Sequence, residues 1–232
     1  MLKKFKNIHK GKRGFLVACG PSLSKTDVSK LNNEITFVVS RGYKRKNLNI
    51  TYLFIGDMHI YKQFYDEISK VKCSALFVSK GIYFSGLPLN KNTYYFTGHG
   101  KKKFHKDVTK NIYGGGTSTF LAMQFAYYMG IQELYAIGLD HSWNFSKTLK
   151  IGRGSGGNLM RNLTQDGNHF SKDFYGKNVT WFYPKVDKMA ESYKMASEAY
   201  TKDNRILSNA SLETKLPNSI MSRTDYNTIY KI

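Results

Sequence analysis

Four short stretches of this chain combine glycines with hydroxyl, carboxylate or imidazole side chains. The first is Gly20-Pro21-Ser22-Leu23. Glycine lets a ligand approach the backbone closely. A helix start just beyond would offer free N–H groups and a positive dipole end to a phosphate, and Ser22 would add a hydroxyl donor. The stretch is neither GxGxxG nor a Walker A loop, and a plain tight turn would read the same. The second is Gly114-Gly115-Gly116-Thr117-Ser118-Thr119. Thr117 or Ser118 can cap a helix. A cap needs only one residue, whereas three consecutive glycines cost backbone entropy, so the run points to an anion or ribose site. The third is Gly138-Leu139-Asp140-His141, echoed by Gly56-Asp57. Carboxylates in such places contact ribose or hold Mg²⁺ through phosphates; a solvated aspartate capping a turn is the competing reading. The fourth is Asp166-Gly167-Asn168-His169-Phe170, followed by Tyr175, Trp181 and Tyr183-Pro184. An imidazole suits general acid–base work at neutral pH, although a lone histidine is more often structural. Tyr175 and Tyr183 can donate hydrogen bonds to a phosphate or leaving group. With 17 tyrosines in the chain, many others belong to the core or surface.

The elements that must position these groups alternate. Apolar runs over 14–19, 35–40, 51–55, 74–79, 93–97, 133–139 and 205–208 predict strands. Helical patterns fill 58–68, 117–129 and 187–202, with a short helix or turn at 25–31, and Gly130 stands where a C-terminal glycine ends a helix. This alternation predicts an α/β fold with a parallel sheet and helices on both faces. The loops above then follow strand carboxyl ends, where open α/β sheets bind ligands. Residues 145–167 break the rhythm. They are polar and hold Gly152, Gly154, Gly156 and Gly157, which predicts a glycine-rich mobile lid or flexible insert over 144–168. The expected organisation is a basic extension over 1–11, one nucleotide-binding domain over 12–215 and a tail over 216–232.

The 232 residues carry 36 Lys and Arg against 16 Asp and Glu, a net charge of +20. Three partners suit that charge: nucleic acid, an anionic membrane surface or an anionic substrate. Lysine bias of an AT-rich genome explains it equally well. The lysines are densest at Lys3, Lys4, Lys6, Lys10 and Lys12, and again at Lys101, Lys102, Lys103 and Lys106. No apolar run approaches the roughly 18 residues of a membrane span, and no signal core follows the N-terminus, so a cytoplasmic protein is expected. Cys19 and Cys73 lack metal spacing. No CxxC, HExxH, Ser-His-Asp order or nucleic-acid motif occurs.

Over roughly residues 12 to 215, the order and spacing of these motifs resemble the 6-hydroxymethylpterin diphosphokinase-like domain family. The carriers are Gly20-Pro21-Ser22-Leu23, the run from Gly114 to Thr119 opening a helix that ends at Gly130, and Glu133 to Asp140. Residues 168–173 and Trp181-Phe182-Tyr183-Pro184 look like its bacterial members. The two loop starts also resemble bacterial sialyltransferases that use CMP-activated sugars. That resemblance implies a Rossmann-like fold, transfer without metal or other cofactor, a histidine base matched by His169, and tyrosines near the leaving phosphate, for which Tyr175 and Tyr183 are candidates. The chain departs after the second strand, with Ser40-Arg41-Gly42-Tyr43 where those enzymes carry an asparagine-containing segment. The first expectation is therefore a nucleotide-sugar-dependent glycosyltransferase of surface-polysaccharide assembly, kept near the anionic inner membrane face by its basic N-terminus. The second is pyrophosphoryl transfer from ATP to 6-hydroxymethylpterin or a similar alcohol, with Mg²⁺ held by Asp57 and Asp140. The third is a non-catalytic basic module that binds nucleic acid.

Overall fold

Strands covered on both faces read as continuous apolar runs rather than alternating ones, and five such runs form the inner strands of a seven-stranded sheet. The computed structural model describes residues 1–154 and 157–230. In chain order the strands are β1 (Arg13–Val17), β2 (Ile35–Val39), β3 (Tyr52–Ile55), β4 (Ala75–Ser79), β5 (Thr93–Phe96), β6 (Glu133–Ile137), β7 (Thr148–Gly154), β8 (Gly157–Asn162), β9 (Thr180–Phe182) and β10 (Ile206–Asn209). The large sheet has the order β10-β6-β1-β2-β3-β4-β5, and every pairing in it is parallel. The chain steps outward from β1 to β5, then returns to the other side of β1 for β6. This is a Rossmann-like arrangement, and the reversal between β1 and β6 opens a crevice at the strand carboxyl ends.

Alternate strand residues feed two cores. Leu16, Phe37, Phe54, Phe77 and Ala136 face α4 (Ser118–Tyr128) and α5 (Val186–Lys202). In α4 only Ser118, at its start, is not buried, as befits a helix apolar all round. Phe15, Val17, Leu53, Ile55 and Ile137 face the opposite layer. There the cover is short: α1 (Met58–Gln63), α2 (Tyr65–Ile68), α3 (Lys80–Tyr83) and 3₁₀ turns over Pro21–Ser24 and Val28–Leu31. Tyr226 and Ile229 complete this layer.

Three expectations need correction. Residues 1–11 are not a loose extension: Leu2 and Phe5 are buried, and Phe5 packs edge-on against Phe77 and Tyr94. The tail over 216–232 is likewise part of the domain, because Leu216, Met221, Tyr226 and Ile229 are buried. Residues 144–168 are not irregular. They contain the β7–β8 hairpin, which joins β9 in an antiparallel sheet of order β7-β8-β9. The glycines hid this strand pattern. Gly154 lies under the Phe182 ring, where an added Cβ would stand 3.0 Å from a ring carbon, and the register shifts between Lys150 and Gly152. Gly156 lies outside the described residues. Among the described residues no helix is long and apolar enough to cross a membrane.

Candidate functional site

A cleft of about 810 Å³ opens at the carboxyl ends of the sheet. Gly20, Asp57, Gly116, Thr117 and Ser118 line it, as do Asp140, His169, Tyr175 and Tyr183. Pro21, Ser22, Gly114 and Gly115 do not.

The turn after β1 is built around a carboxylate of the protein itself. Asp140 accepts the Ser22 backbone N–H at 2.6 Å and the Ser22 hydroxyl. Both residues are buried. A Cβ at Gly20 would stand 2.5 Å from the Asp140 Cγ. The space that the sequence suggests for a phosphate is filled by Asp140, the Ser22 hydroxyl is committed to it, and the following helix is a four-residue 3₁₀ turn. Gly20-Pro21-Ser22 thus fastens β1 to β6 across the switch point. Burial pushes the Asp140 pKa up, while the two bonds from Ser22 pull it back down.

The glycine run has two jobs. Gly115 and Gly116 hold φ values of 62° and 78°, a left-handed conformation natural to glycine. At Gly115 a Cβ would also meet the Phe120 ring at 2.5 Å and the Ser192 Oγ at 2.8 Å, so that glycine serves packing. Gly116 faces the cleft. Beyond it Thr117 caps α4, its Oγ1 accepting the Thr119 N–H at 3.2 Å. The Ser118 Oγ accepts the Gly56 N–H at 3.3 Å, which ties the helix start to the end of β3. The positive dipole end of α4 therefore lies at the cleft wall. Ser192 donates to the Gly115 carbonyl at 3.0 Å and holds α5 against this loop. Lys185 and Lys188, at the start of α5, line the same cleft, Lys188 against Gly116.

Asp57 caps α1 by accepting the His59 N–H at 2.8 Å, and burial pushes its pKa up. Both oxygens of Asp140 and one of Asp57 are thus engaged. Among the described residues no group of three or more His, Cys, Asp or Glu side chains gathers as a metal cage.

His169 is fixed on every side but one. Its Nδ1 meets the Asp166 Oδ2 at 2.8 Å. That carboxylate, 2% exposed, also accepts the backbone N–H groups of Asn168 at 2.7 Å and Tyr175 at 3.0 Å. The imidazole stacks on Phe174 at 4.0 Å with planes 5° apart, and stands edge-on to Tyr175 and Trp143. The Phe174 backbone is clamped in turn by Arg41, a buried guanidinium that donates to its carbonyl. Arg41 also bonds Glu67 in bidentate fashion at 2.9 and 2.8 Å and lies 3.5 Å above the Phe64 ring. A carboxylate on Nδ1 favours the tautomer that donates from that nitrogen and leaves Nε2 as the acceptor, and the residue lines the cleft. Tyr175 is buried and stacks on Trp181 at 5.9 Å; burial drives its phenol pKa far up, so it stays protonated. Tyr183, 37% exposed, stands at the mouth.

Sequence reading named Asp166 and His141 within candidate stretches, gave Asp166 no role of its own, and passed over Trp143, Lys185 and Lys188. The Asp166-Gly167-Asn168-His169 spacing was a usable signal for the first. Arg41 stood out only as a departure from a pattern. No protein-family model matches this chain, and no curated protein matches it.

Proposed function

We propose that the chain is a nucleotide-dependent glycosyltransferase that moves a sugar from a nucleotide-activated donor, CMP-linked in the first instance, to an acceptor hydroxyl in bacterial surface-polysaccharide assembly. The observation that carries this reading is the Asp166–His169 pair opening onto a cleft whose other wall is the start of α4. The Nε2 takes the proton from the acceptor hydroxyl as its oxygen bonds to the anomeric carbon. The bond from that carbon to the donor phosphate breaks, and its electron pair leaves with the nucleotide. The α4 start, Lys185 and Lys188 balance the charge that develops on the departing phosphate. Asp166 orients the ring and stabilises its protonated form.

The experiment is donor consumption across CMP-, UDP- and GDP-sugars, each with EDTA and with Mg²⁺, on the full chain and on His169→Ala. The expected result is release of free nucleotide that persists in EDTA and falls about 10²- to 10⁴-fold in the variant. Turnover of ATP with a pterin alcohol, abolished by EDTA, would instead support pyrophosphoryl transfer. Full activity in folded His169→Ala would remove the base assignment.

A further inference from the structure

Buried polar atoms in folded proteins are nearly always paired, so each exception asks for a reason. Among the described residues four side-chain atoms are buried without a partner: Thr93 Oγ1, His141 Nδ1, Trp143 Nε1 and Tyr230 Oη. Two of them belong to residues only two positions apart, just beyond β6, and both residues line the cleft. His141 also holds a φ of 51°, a left-handed conformation uncommon outside glycine and typical of strained ligand sites. The Trp143 ring stacks with Phe145 at 6.2 Å and with Trp181 at 6.4 Å, and stands edge-on to His169 at 5.6 Å.

We propose that His141 and Trp143, backed by Trp181, form the acceptor subsite and that the acceptor presents a neutral pyranose ring there. The inference rests on the glycosyl-transfer reading and gives its second substrate a place. An aromatic wall with one indole N–H and one imidazole nitrogen suits a sugar: its C–H face lies on the ring, and its hydroxyls both donate and accept. A phosphate would seek cations, and Lys188 stands at the start of α5, beside Gly116 of the glycine run. A nucleobase would also stack on Trp143 but has no hydroxyl to give to His169. A sugar seated on Trp143 places a ring hydroxyl beside the imidazole that must deprotonate it.

The chain contains two tryptophans, Trp143 and Trp181, and both belong to this wall, so intrinsic fluorescence reports on it without any turnover. The full chain is titrated with the methyl glycosides of glucose, galactose, mannose and N-acetylglucosamine, and separately with cytidine and uridine. At least one glycoside should shift the emission saturably at about millimolar concentration. Trp143→Phe keeps a ring and loses the N–H, and His141→Gln loses the imidazole. Each, once shown to be folded, should bind that glycoside about three- to tenfold more weakly. Calorimetric affinity for CMP should change by less than about twofold in both variants. A saturable shift with the nucleosides and none with the glycosides would overturn the proposal and make the wall a base site. Silence from every glycoside would overturn it as well. Glycoside binding without turnover of any nucleotide-sugar would leave the subsite standing and remove the glycosyl-transfer reading.

Discussion

Replacing Asp166 by asparagine keeps the shape of the side chain and breaks its logic. The carboxylate serves three donors with two oxygens: Oδ1 takes the Asn168 N–H, and Oδ2 takes the Tyr175 N–H and His169 Nδ1. An amide has one acceptor end. With its oxygen at the Oδ2 position, the NH₂ group faces the Asn168 N–H and one buried donor is orphaned. With the amide reversed, the NH₂ group faces Nδ1 and the Tyr175 N–H. That orphans a different donor and drives the imidazole to the tautomer protonated on Nε2, which cannot accept a proton. Either orientation leaves one buried N–H unsatisfied, so stability should fall by about 1–3 kcal/mol. Loss of the correct tautomer and of the negative charge behind the imidazolium should remove most of the general-base contribution, about 10²- to 10⁴-fold in kcat. At about 1.4 kcal/mol per tenfold this is roughly 3–5 kcal/mol of barrier. The assay is nucleotide release at saturating donor and acceptor, with donor affinity measured by calorimetry and stability by urea unfolding. Donor affinity should stay within about threefold, because Asp166 lies behind the ring and away from the α4 start. The Asp166→Asn, His169→Ala double variant should be no slower than His169→Ala alone, since the two residues act as one unit. A folded Asp166→Asn protein with kcat within tenfold of the parent would refute the pair as the proton acceptor. So would a further tenfold loss on the His169→Ala background.

Gly20→Ala drives a Cβ into the Asp140 carboxyl, and Gly115→Ala drives one into Phe120 and Ser192; each should cost about 1–3 kcal/mol in urea unfolding, and unchanged midpoints would show that these turns relax freely. Burial lowers the pKa of His9, with help from Lys12, and that of His141, each from an ordinary value of 6.5. Their neutral forms are therefore favoured on folding, so the stability they contribute is present above 6.5 and is lost as pH falls through the lowered folded values. A His9→Gln, His141→Gln variant should lose less stability than the parent between about pH 7 and pH 5, and an identical loss would refute this. The basic segment holding Lys3, Lys6, Lys10 and Lys12 is fastened to Tyr128 and Met129 at the far end of α4 from the cleft. If it meets a membrane, binding to vesicles containing anionic lipid should weaken as salt shortens the Debye length below about 10 Å. Nucleotide should not compete, and equal partitioning onto neutral vesicles would refute the attachment.

Where a residue's role depends on its neighbours in sequence, this chain is easy to read; where it depends on a distant partner, it is not. The five inner strands of the large sheet announce themselves as apolar runs, and the β1/β6 reversal places the loops after them at one crevice. The β7–β8 hairpin was obscured because Gly152 and Gly154 interrupt the alternation that marks a strand, and the Phe182 ring that makes Gly154 necessary comes 28 residues later. Gly20 and Gly116 look alike as signals: each is a glycine beside hydroxyl residues at an element boundary. Gly20 makes room for a carboxylate 120 residues away, whereas Gly116 turns the backbone into the cleft at the mouth of α4. Arg41 reads as a flaw in a donor-binding pattern, yet Glu67, Phe64 and the Phe174 carbonyl make it the clamp behind the ring on which His169 stacks. A structural imidazole is satisfied at both nitrogens or left to solvent. This one is held by a buried carboxylate on one nitrogen and by a backed aromatic face, and it lines a cleft shared with a helix start and two lysines. The residue type was legible in the sequence; the surroundings that hold it, Asp166, Phe174 and Arg41, are assembled only by the fold.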